Sequence, residues 1–559
     1  MSRIILLILS FAVTSLAAYG GWAYYGRPQA MQDVPDGKLR CVSYAPYRVG
    51  QSPFIEGLVI PPAQIEEDIE NLSKQFDCLR TYSVNQGLAE VPRIAAKYGM
   101  KVLLGVWIGR DSLNKATNEK EIETAVRLAN DPANRDTLMA IVVGNEVLLR
   151  REFNAKQMAD WIGMVKKQVI VPVTYADVWE FWLKNPSLAE SVDYLTVHIL
   201  PYWEDDPVSL DHAMAHLHKV LDKLRGAFPG RKLFIGETGW PSAGRTREGA
   251  VPSRVNEARY IREFIHTIGE EQVDYNVIES IDQPWKKIQE GTVGGYWGIY
   301  TVEREQKFPF AGPVSEDSQW RRNATIGMTI AAVLLVALLT SGAPLGLFGW
   351  LAAAAAAQTS GALLVWQLRF LEETSLNEGT WLVNFSGIVL SASAALLLLL
   401  TVTDVATRRA GATPAPIAQT LAWLRSPRFK HLDRTMALGL LQCLTLFGAA
   451  AISWQMLFDP RYRDFPIPTY LIPAVGFAVL YWLRNHRPVA ALETQPDYRE
   501  ECWLAYLIAG ASLINVLREG YLNGESLLWT GTVVLIVWPW LQRVWRARQA
   551  ARGISRAGA

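Results

Sequence analysis

The sequence predicts an α/β chain in which a (β/α)8 barrel over residues 36–312 follows one transmembrane helix and precedes an all-α membrane domain of about seven helices. Three observations carry this. Eight short apolar runs between Lys38 and Tyr300 end in polar or aromatic residues. Helix-like periodicity fills most of the gaps between them. From Ala324 onward, charge is missing for about twenty residues at a time, the length a bilayer asks of a helix. A chain of 559 residues is too long for one ordinary core. It divides into an anchor (1–25), the barrel (36–312), a linker (313–323), a multi-span region (324–545) and a basic tail (546–559).

In chain order, Arg3 precedes an apolar run from Ile4 to about Ala18, extended by Trp22, Tyr24 and Tyr25. The run fits a cleaved signal or an uncleaved anchor; its length and the aromatic residues at its outer end favour the anchor. The eight barrel runs are CVSYAPY, CLRTYS, VLLGVWI, AIVVGNEV, VPVTYAD, YLTVHILPYW, LFIGETGW and YNVIESIDQPW. Ile65, Ile69 and Leu72 recur at helical spacing before the second, and Ala213, Leu217, Val220, Leu221 and Leu224 before the seventh. A doubly wound open sheet would share the alternation, but no GxGxxG follows the first run.

Two runs share a grammar that points to chemistry. Lys232–Ile235 and Ala140–Val143 each read as a buried strand, Gly236 and Gly144 allow close passage, and Glu237 and Glu146 emerge where the strand stops. In a barrel, strand C-terminal ends converge on one mouth. That mouth would gather Arg80, Tyr82, Trp107, Asn145, Glu146, His198, Tyr202, Trp203, Glu237, Trp240 and Trp285, with Tyr44 a further candidate for substrate binding. Two carboxylates with aromatic platforms are what cleavage of a glycosidic bond needs: one protonated carboxyl assists the leaving oxygen, and one carboxylate attacks or stabilises the sugar carbon.

At this point GNEV, ETGWPS, SYAPYRVGQSP, LRTYS, and DQPWK followed by YWGIY together resemble glycoside hydrolase family 17, the enzymes acting on β-1,3-glucan, here in a bacterial membrane-anchored form. The likeness runs from Leu39 to about Gly312. It implies a retaining double displacement, with Glu146 as acid/base and Glu237 as nucleophile, and a cleft shaped by Arg80, Asn145, Tyr202, Trp285 and Lys286. The chain departs from the family at Asp282-Gln283, where a second acidic residue is common, and at Gly294-Gly295, where one acid is common. The implied function is a membrane-anchored endo-hydrolase or transglycosylase working on β-glucan, beside a glucan synthase of the same membrane. A non-catalytic glucan-binding or export component is the alternative.

Spans are expected at 324–342, 345–367, 380–402, 435–457, 467–483, 502–517 and 526–542. With the N-terminal helix, an eight-span count puts three cationic groups on one side: Arg408, Arg409, Arg425, Arg428, Lys430 and Arg434; Arg484 and Arg487; and Arg543, Arg546, Arg548 and Arg552. By the positive-inside rule both termini are cytoplasmic and the barrel is outside, in the periplasm of a bacterium. A glycosyltransferase would need a nucleotide-sugar site inside, but the loop from Asp404 to Arg434 is short and holds no DxD. Net charge is +1 with no polybasic block in the barrel, so no nucleic-acid partner is expected. The seven histidines form no HExxH or Cys/His cluster, so neither metal nor cofactor enters the reading. Cys41 and Cys78 begin neighbouring predicted strands, a placement compatible with a disulfide; Cys443 and Cys502 read as packing residues in or beside spans.

Overall fold

A computed structural model describes residues 3–409, 411–426, 432–459, 461–486 and 497–557, with side chains to 549. The chain forms two compact units, Pro28–Ser315 and Met1–Arg27 with Glu316–Ala559. Each of the eight apolar runs contains a strand: β1 (Leu39–Ser43), β2 (Phe76–Arg80), β3 (Lys101–Val106), β4 (Leu138–Asn145), β5 (Val173–Val178), β6 (Leu195–His198), β7 (Leu233–Glu237) and β8 (Asp274–Val277). They pair in parallel in sequence order and close between β1 and β8.

Both strand faces are covered, which is why the runs read as continuous apolar stretches rather than alternations. The lumen holds Cys41, Cys78, Leu103, Ala140, Val142, Ala176 and Phe234. The outer faces meet the surrounding helices, where Ile65, Ile69 and Leu72 on Pro62–Leu72, and Leu217, Val220, Leu221 and Leu224 on Leu210–Ala227, are buried as their spacing predicts. Cys41 and Cys78 sit opposite each other in register and are joined as a disulfide, with Cα atoms 4.5 Å apart. The unit's two ends are paired as well: Gln29 donates to the Val314 carbonyl at 2.8 Å and Val314 returns the bond at 3.0 Å.

In the other unit, eight helices among the described residues are long and apolar enough to cross a membrane: Arg3–Tyr25, Trp320–Thr340, Leu347–Thr374, Glu378–Ala406, Arg434–Phe458, Ile467–His486, Arg499–Glu519 and Gly524–Gln549. They cover all the expected spans. The first packs with its neighbours through a hydrogen bond from Gln358 to Ser15 Oγ (2.8 Å) and through Arg369, whose guanidinium lies 5.8 Å from the Trp22 ring. Trp320 opens a helix inside the stretch read as a linker, and the last helix runs to Ala557, through the stretch read as a tail. The loop from Asp404 to Arg434 contains a short helix, Ile417–Arg425, that the span-by-span reading missed. Of the cations invoked for orientation, Arg428, Lys430 and Arg487 lie outside the described residues, as does the side chain of Arg552.

Candidate active site

Strand alternation builds the floor of the site. Residues two apart share a face, so Ser43 follows Cys41, Arg80 follows Cys78 and His198 follows Thr196 into the lumen. Strict alternation would turn Glu237 away from it. Instead, β7 gains one residue against β6: Val197 pairs with Ile235, but His198 pairs with Glu237, leaving Gly236 as the extra residue. Gly236 tolerates this because a Cβ there would come within 2.5 Å of Thr196 and 3.1 Å of the His198 ring. On β4 the same device recurs, with Val142 opposite Thr174 but Asn145 opposite Ala176. Such bulges re-aim side chains at strand ends. Gly144 takes φ +84° and Glu146 itself takes φ +53°.

The bulges deliver the two glutamates to one place. Glu146, His198 and Glu237 each offer one ligand atom, and the three atoms lie within 4.8 Å of one another. Glu237 is buried and held on three sides. Arg80 donates to it at 2.9 Å and Tyr82 O–H at 2.9 Å, and His198 Nδ1 stands 3.3 Å away. Arg80 also donates to the Asn145 side-chain oxygen (2.6 Å) and the Gly236 carbonyl (2.8 Å), so one guanidinium ties both catalytic strand ends together. Glu146 keeps a quarter of its side chain exposed (25%) and lies 3.4 Å from His198 Nδ1. His198 Nδ1 thus stands within 3.4 Å of both carboxylates, at the distance where a protonated ring is shared between them.

The electrostatics separate the groups. Burial pushes the Glu237 carboxyl up, but His198, Arg80 and Lys286 outweigh it and hold the group below the usual carboxylate range. For His198, burial acts downward and is overcome by Glu237 and by contact with Glu146, raising it to about 9. Burial and the Glu237 charge keep Tyr82 protonated as a donor. By distance, the Glu146, His198 and Glu237 donor set would admit a cation. The fixed Arg80 charge against Glu237 opposes one, and the Arg80 hydrogen bond already occupies a Glu237 oxygen.

The remaining expected residues divide. Trp107 presents an exposed ring (38%) under the Arg150 guanidinium, 4.3 Å from its centroid. Trp203 is half-buried and stacks on Trp297. Trp285 is half-buried with Phe54 and Tyr47 edge-on at 5.5 and 6.1 Å. Lys286 pairs with Glu279 at 2.7 Å. Three more of the expected residues are buried. Trp240 is fully buried (0% exposed), donates to the Val251 carbonyl and packs on Tyr202 and Tyr260, so it offers no face to a sugar. Tyr202 is buried too, donating to the Arg245 carbonyl. Tyr44 is buried and donates to Asp68 at 3.0 Å.

Three carboxyls escaped the sequence reading. Asp177, last residue of the run VPVTYAD, had the same strand-end signal as the others. Burial, opposed by Tyr175 and reinforced by the Glu146 charge, raises it to about 6. Glu279 and Glu290 share Lys286; burial raises both, Glu290 to about 7. Glu279 lies two residues beyond β8 in the eighth run and Glu290 ends a short helix, but neither has the preceding glycine that marks Glu146 and Glu237.

The model of the BtgE/BtgC glycoside hydrolase domain matches residues 41–298. A glucan 1,3-beta-glucosidase of Arthroderma benhamiae is 31% identical over 266 residues, covering 44% of this chain and 83% of that protein. A probable beta-glucosidase btgE of Neosartorya fischeri is 26% identical, covering 46% of this chain and 45% of its own length. Among solved structures, a Rhizomucor miehei beta-1,3-glucanosyltransferase in complex with laminaritriose is 25% identical with a TM-score of 0.42, covering 49% of this chain and 97% of that one.

Proposed function

The chain belongs to glycoside hydrolase family 17, and from that premise we propose that it is a retaining β-1,3-glucan hydrolase and transglycosylase. The observation that carries the reading is the placement of Glu146 and Glu237 at the C-terminal ends of β4 and β7, with one ligand atom of each within 4.8 Å of the other. Retaining enzymes hold their carboxyls about 5–5.5 Å apart, whereas inverting ones leave about 6.5–9.5 Å for a water. The Arthroderma relative's name supports glucan with 1,3-linkages as the substrate.

In the first step, a Glu237 oxygen attacks the anomeric carbon. The glycosidic C–O bond breaks, and Glu146 gives its proton to the leaving oxygen. In the second, water or a sugar hydroxyl attacks the same carbon, Glu146 takes the proton, and the ester to Glu237 breaks. Arg80, Tyr82 and His198 hold Glu237 ionised for attack and stabilise it as it leaves.

Transfer accompanies hydrolysis in this proposal. In the chain, the barrel is flanked by apolar helices, an arrangement suited to reworking glucan near a membrane. A tether raises local acceptor concentration into roughly the millimolar range. The reading places the barrel on the outer side of a bacterial plasma membrane, both termini inside, beside a synthase exporting glucan; reporters fused at Ser315 and near the C-terminus should report opposite sides. The deciding experiment incubates the purified protein with β-1,3-linked oligosaccharides across concentrations and follows chain length and linkage. Products longer than the substrate support transfer. Only shorter products leave a hydrolase, and no turnover of any β-glucan sinks the reading.

A further inference from the structure

The turn that carries Glu146 is held by its own backbone bonds and by the neighbouring strand β5. Gly144 at φ +84° and Glu146 at φ +53° both sit in the left-handed region, and for a residue with a side chain that conformation costs roughly 1–3 kcal/mol unless neighbours enforce it. Arg80 holds the Asn145 side chain and Arg150 bonds the Asn145 and Glu146 carbonyls, while β5 holds the N–H groups of Glu146 and Leu148. The Glu146 N–H donates to the Ala176 carbonyl at 2.8 Å. Two residues on, the Leu148 N–H donates to Tyr175 Oη at 3.0 Å and to Asp177 Oδ2 at 3.2 Å. Tyr175 O–H donates in turn to Asp177 Oδ2, and Asp177 Oδ1 accepts the Val178 N–H at 2.8 Å.

Asp177 is wholly buried, so these three donors are its compensation for lost water. The Tyr175 ring closes the other side: a Cβ on Gly144 would lie 3.4 Å from it. The pair therefore grips the turn on both sides of Glu146. On β6, beside β5, His198 Nδ1 lies 3.4 Å from Glu146. The like charge of Glu146 is among the influences that raise Asp177.

We propose that Asp177 and Tyr175 are a positioning pair for the acid/base: they fix the 144–148 turn so that the Glu146 carboxyl meets the leaving oxygen. The inference rests on the reading of Glu146 as acid/base and adds residues that never touch the sugar. It has a signature that a general packing role lacks. Misplacing a catalytic group by about 1 Å costs on the order of 10²-fold, but only where the step needs that group's proton. A glucan does; an aryl glucoside with an acidic phenol does not.

The test compares the full-length wild-type protein, Asp177→Asn, Tyr175→Phe, Glu146→Ala and the double variant Asp177→Asn/Glu146→Ala. Each is assayed on a β-1,3-glucan oligosaccharide and on an activated aryl glucoside. Asp177→Asn turns one acceptor oxygen into an N–H2 that faces donors. We expect kcat/KM on glucan to fall about 10–10²-fold, with a change of at most about threefold on the aryl glucoside. Tyr175→Phe leaves the Asp177 bond to Leu148 and should give the same pattern at smaller size. In the Glu146→Ala background, Asp177→Asn should change neither rate further, because the group it positions is gone. Equal losses on both substrates, unchanged rates, or a further loss in the double variant would each overturn the proposal. If Glu146→Ala itself fails to spare the aryl glucoside, the assignment of the acid/base falls instead, and the two failures are told apart.

Discussion

The ends of β4 and β7 use one device for opposite purposes. Both strands gain a residue near a glycine, and both turn a glutamate toward the same 4.8 Å space. At β7, Glu237 is buried among a guanidinium, a phenol and an imidazole that favour its charge. At β4, Glu146 stays a quarter exposed, in a left-handed conformation, held through its backbone by β5 rather than by donors to its carboxylate. A nucleophile must be ionised and fixed, while an acid/base must exchange a proton with substrate and then with water. Donor-rich burial serves the first need, and an accessible, backbone-anchored turn serves the second.

The largest effect expected of this asymmetry is at Glu237. Glu237→Ala removes the group that forms the covalent bond and should abolish turnover of glucan and aryl glucoside alike, with rates at least about 10⁴-fold below wild type. Added azide should restore an inverted glycosyl azide from the activated substrate. Residual turnover on either substrate without added nucleophile would mean that the two ends are interchangeable.

Next in size is Glu146→Ala. Glucan turnover should fall about 10²–10⁴-fold while activated aryl glucosides keep forming the intermediate, and azide should rescue its breakdown with retained configuration. An inverted azide product from this variant would exchange the two roles.

Arg80→Lys attacks the link between the ends. A lysine cannot reach Glu237, Asn145 and the Gly236 carbonyl with one planar fork. Breaking a buried pair costs roughly 3–5 kcal/mol of stability. Glu237 is depressed in the native state, so its contribution to stability is present above its ordinary value of 4.5 and is lost as pH falls. Wild type should therefore exceed the variant most near neutral pH, and the difference should close in acid. The acidic limb of the kcat/KM profile should move upward in pH as Glu237 loses its guanidinium. An unmoved limb would mean that His198 alone keeps the nucleophile ionised.

How much of this was legible beforehand follows from what periodicity can encode. The eight runs, the glutamates after Gly144 and Gly236 and the eight apolar helices repeat at fixed spacings, and the sequence displays them. The bulges do not, because pairing register is a relation between two strands: nothing in the run containing Val197 says that Ile235 and Glu237 face successive residues across it. Trp240 misled for a related reason. It stands three residues beyond Glu237 in a motif full of function, yet its ring packs on Tyr260 and Tyr202 with no exposed face. The Ile417–Arg425 helix went unread because nine residues are too few to show a period among flanking prolines and arginines. Asp177 had the right signal and was passed over only for lack of a glycine before it.

The smallest effect expected concerns His198, the group that the two ends share. An imidazolium between two carboxylates should make β6 and β7 sensitive to alkali in a way that the rest of the barrel is not. Its native value, about 9, lies above the ordinary 6.5. Its contribution to stability is therefore complete below pH 6.5 and disappears as pH rises through 9, whereas that of Glu237 is complete above 4.5. Together they define a plateau from pH 4.5 to 6.5 and an alkaline decline. Arg80 opposes the imidazolium and keeps the decline from moving higher. His198→Asn keeps a donor of similar size without the titrating charge and should flatten the decline. The measurement is amide exchange of β6 and β7 in the full-length protein between pH 5 and 10, corrected for the intrinsic rate and read against β2 and β3. Wild-type protection in β6 and β7 should fall between pH 7 and 9 and that of the variant should not. If protection falls equally in both proteins, His198 is neutral in the native state, and Arg80 and Tyr82 alone distinguish the nucleophile's end from the acid's.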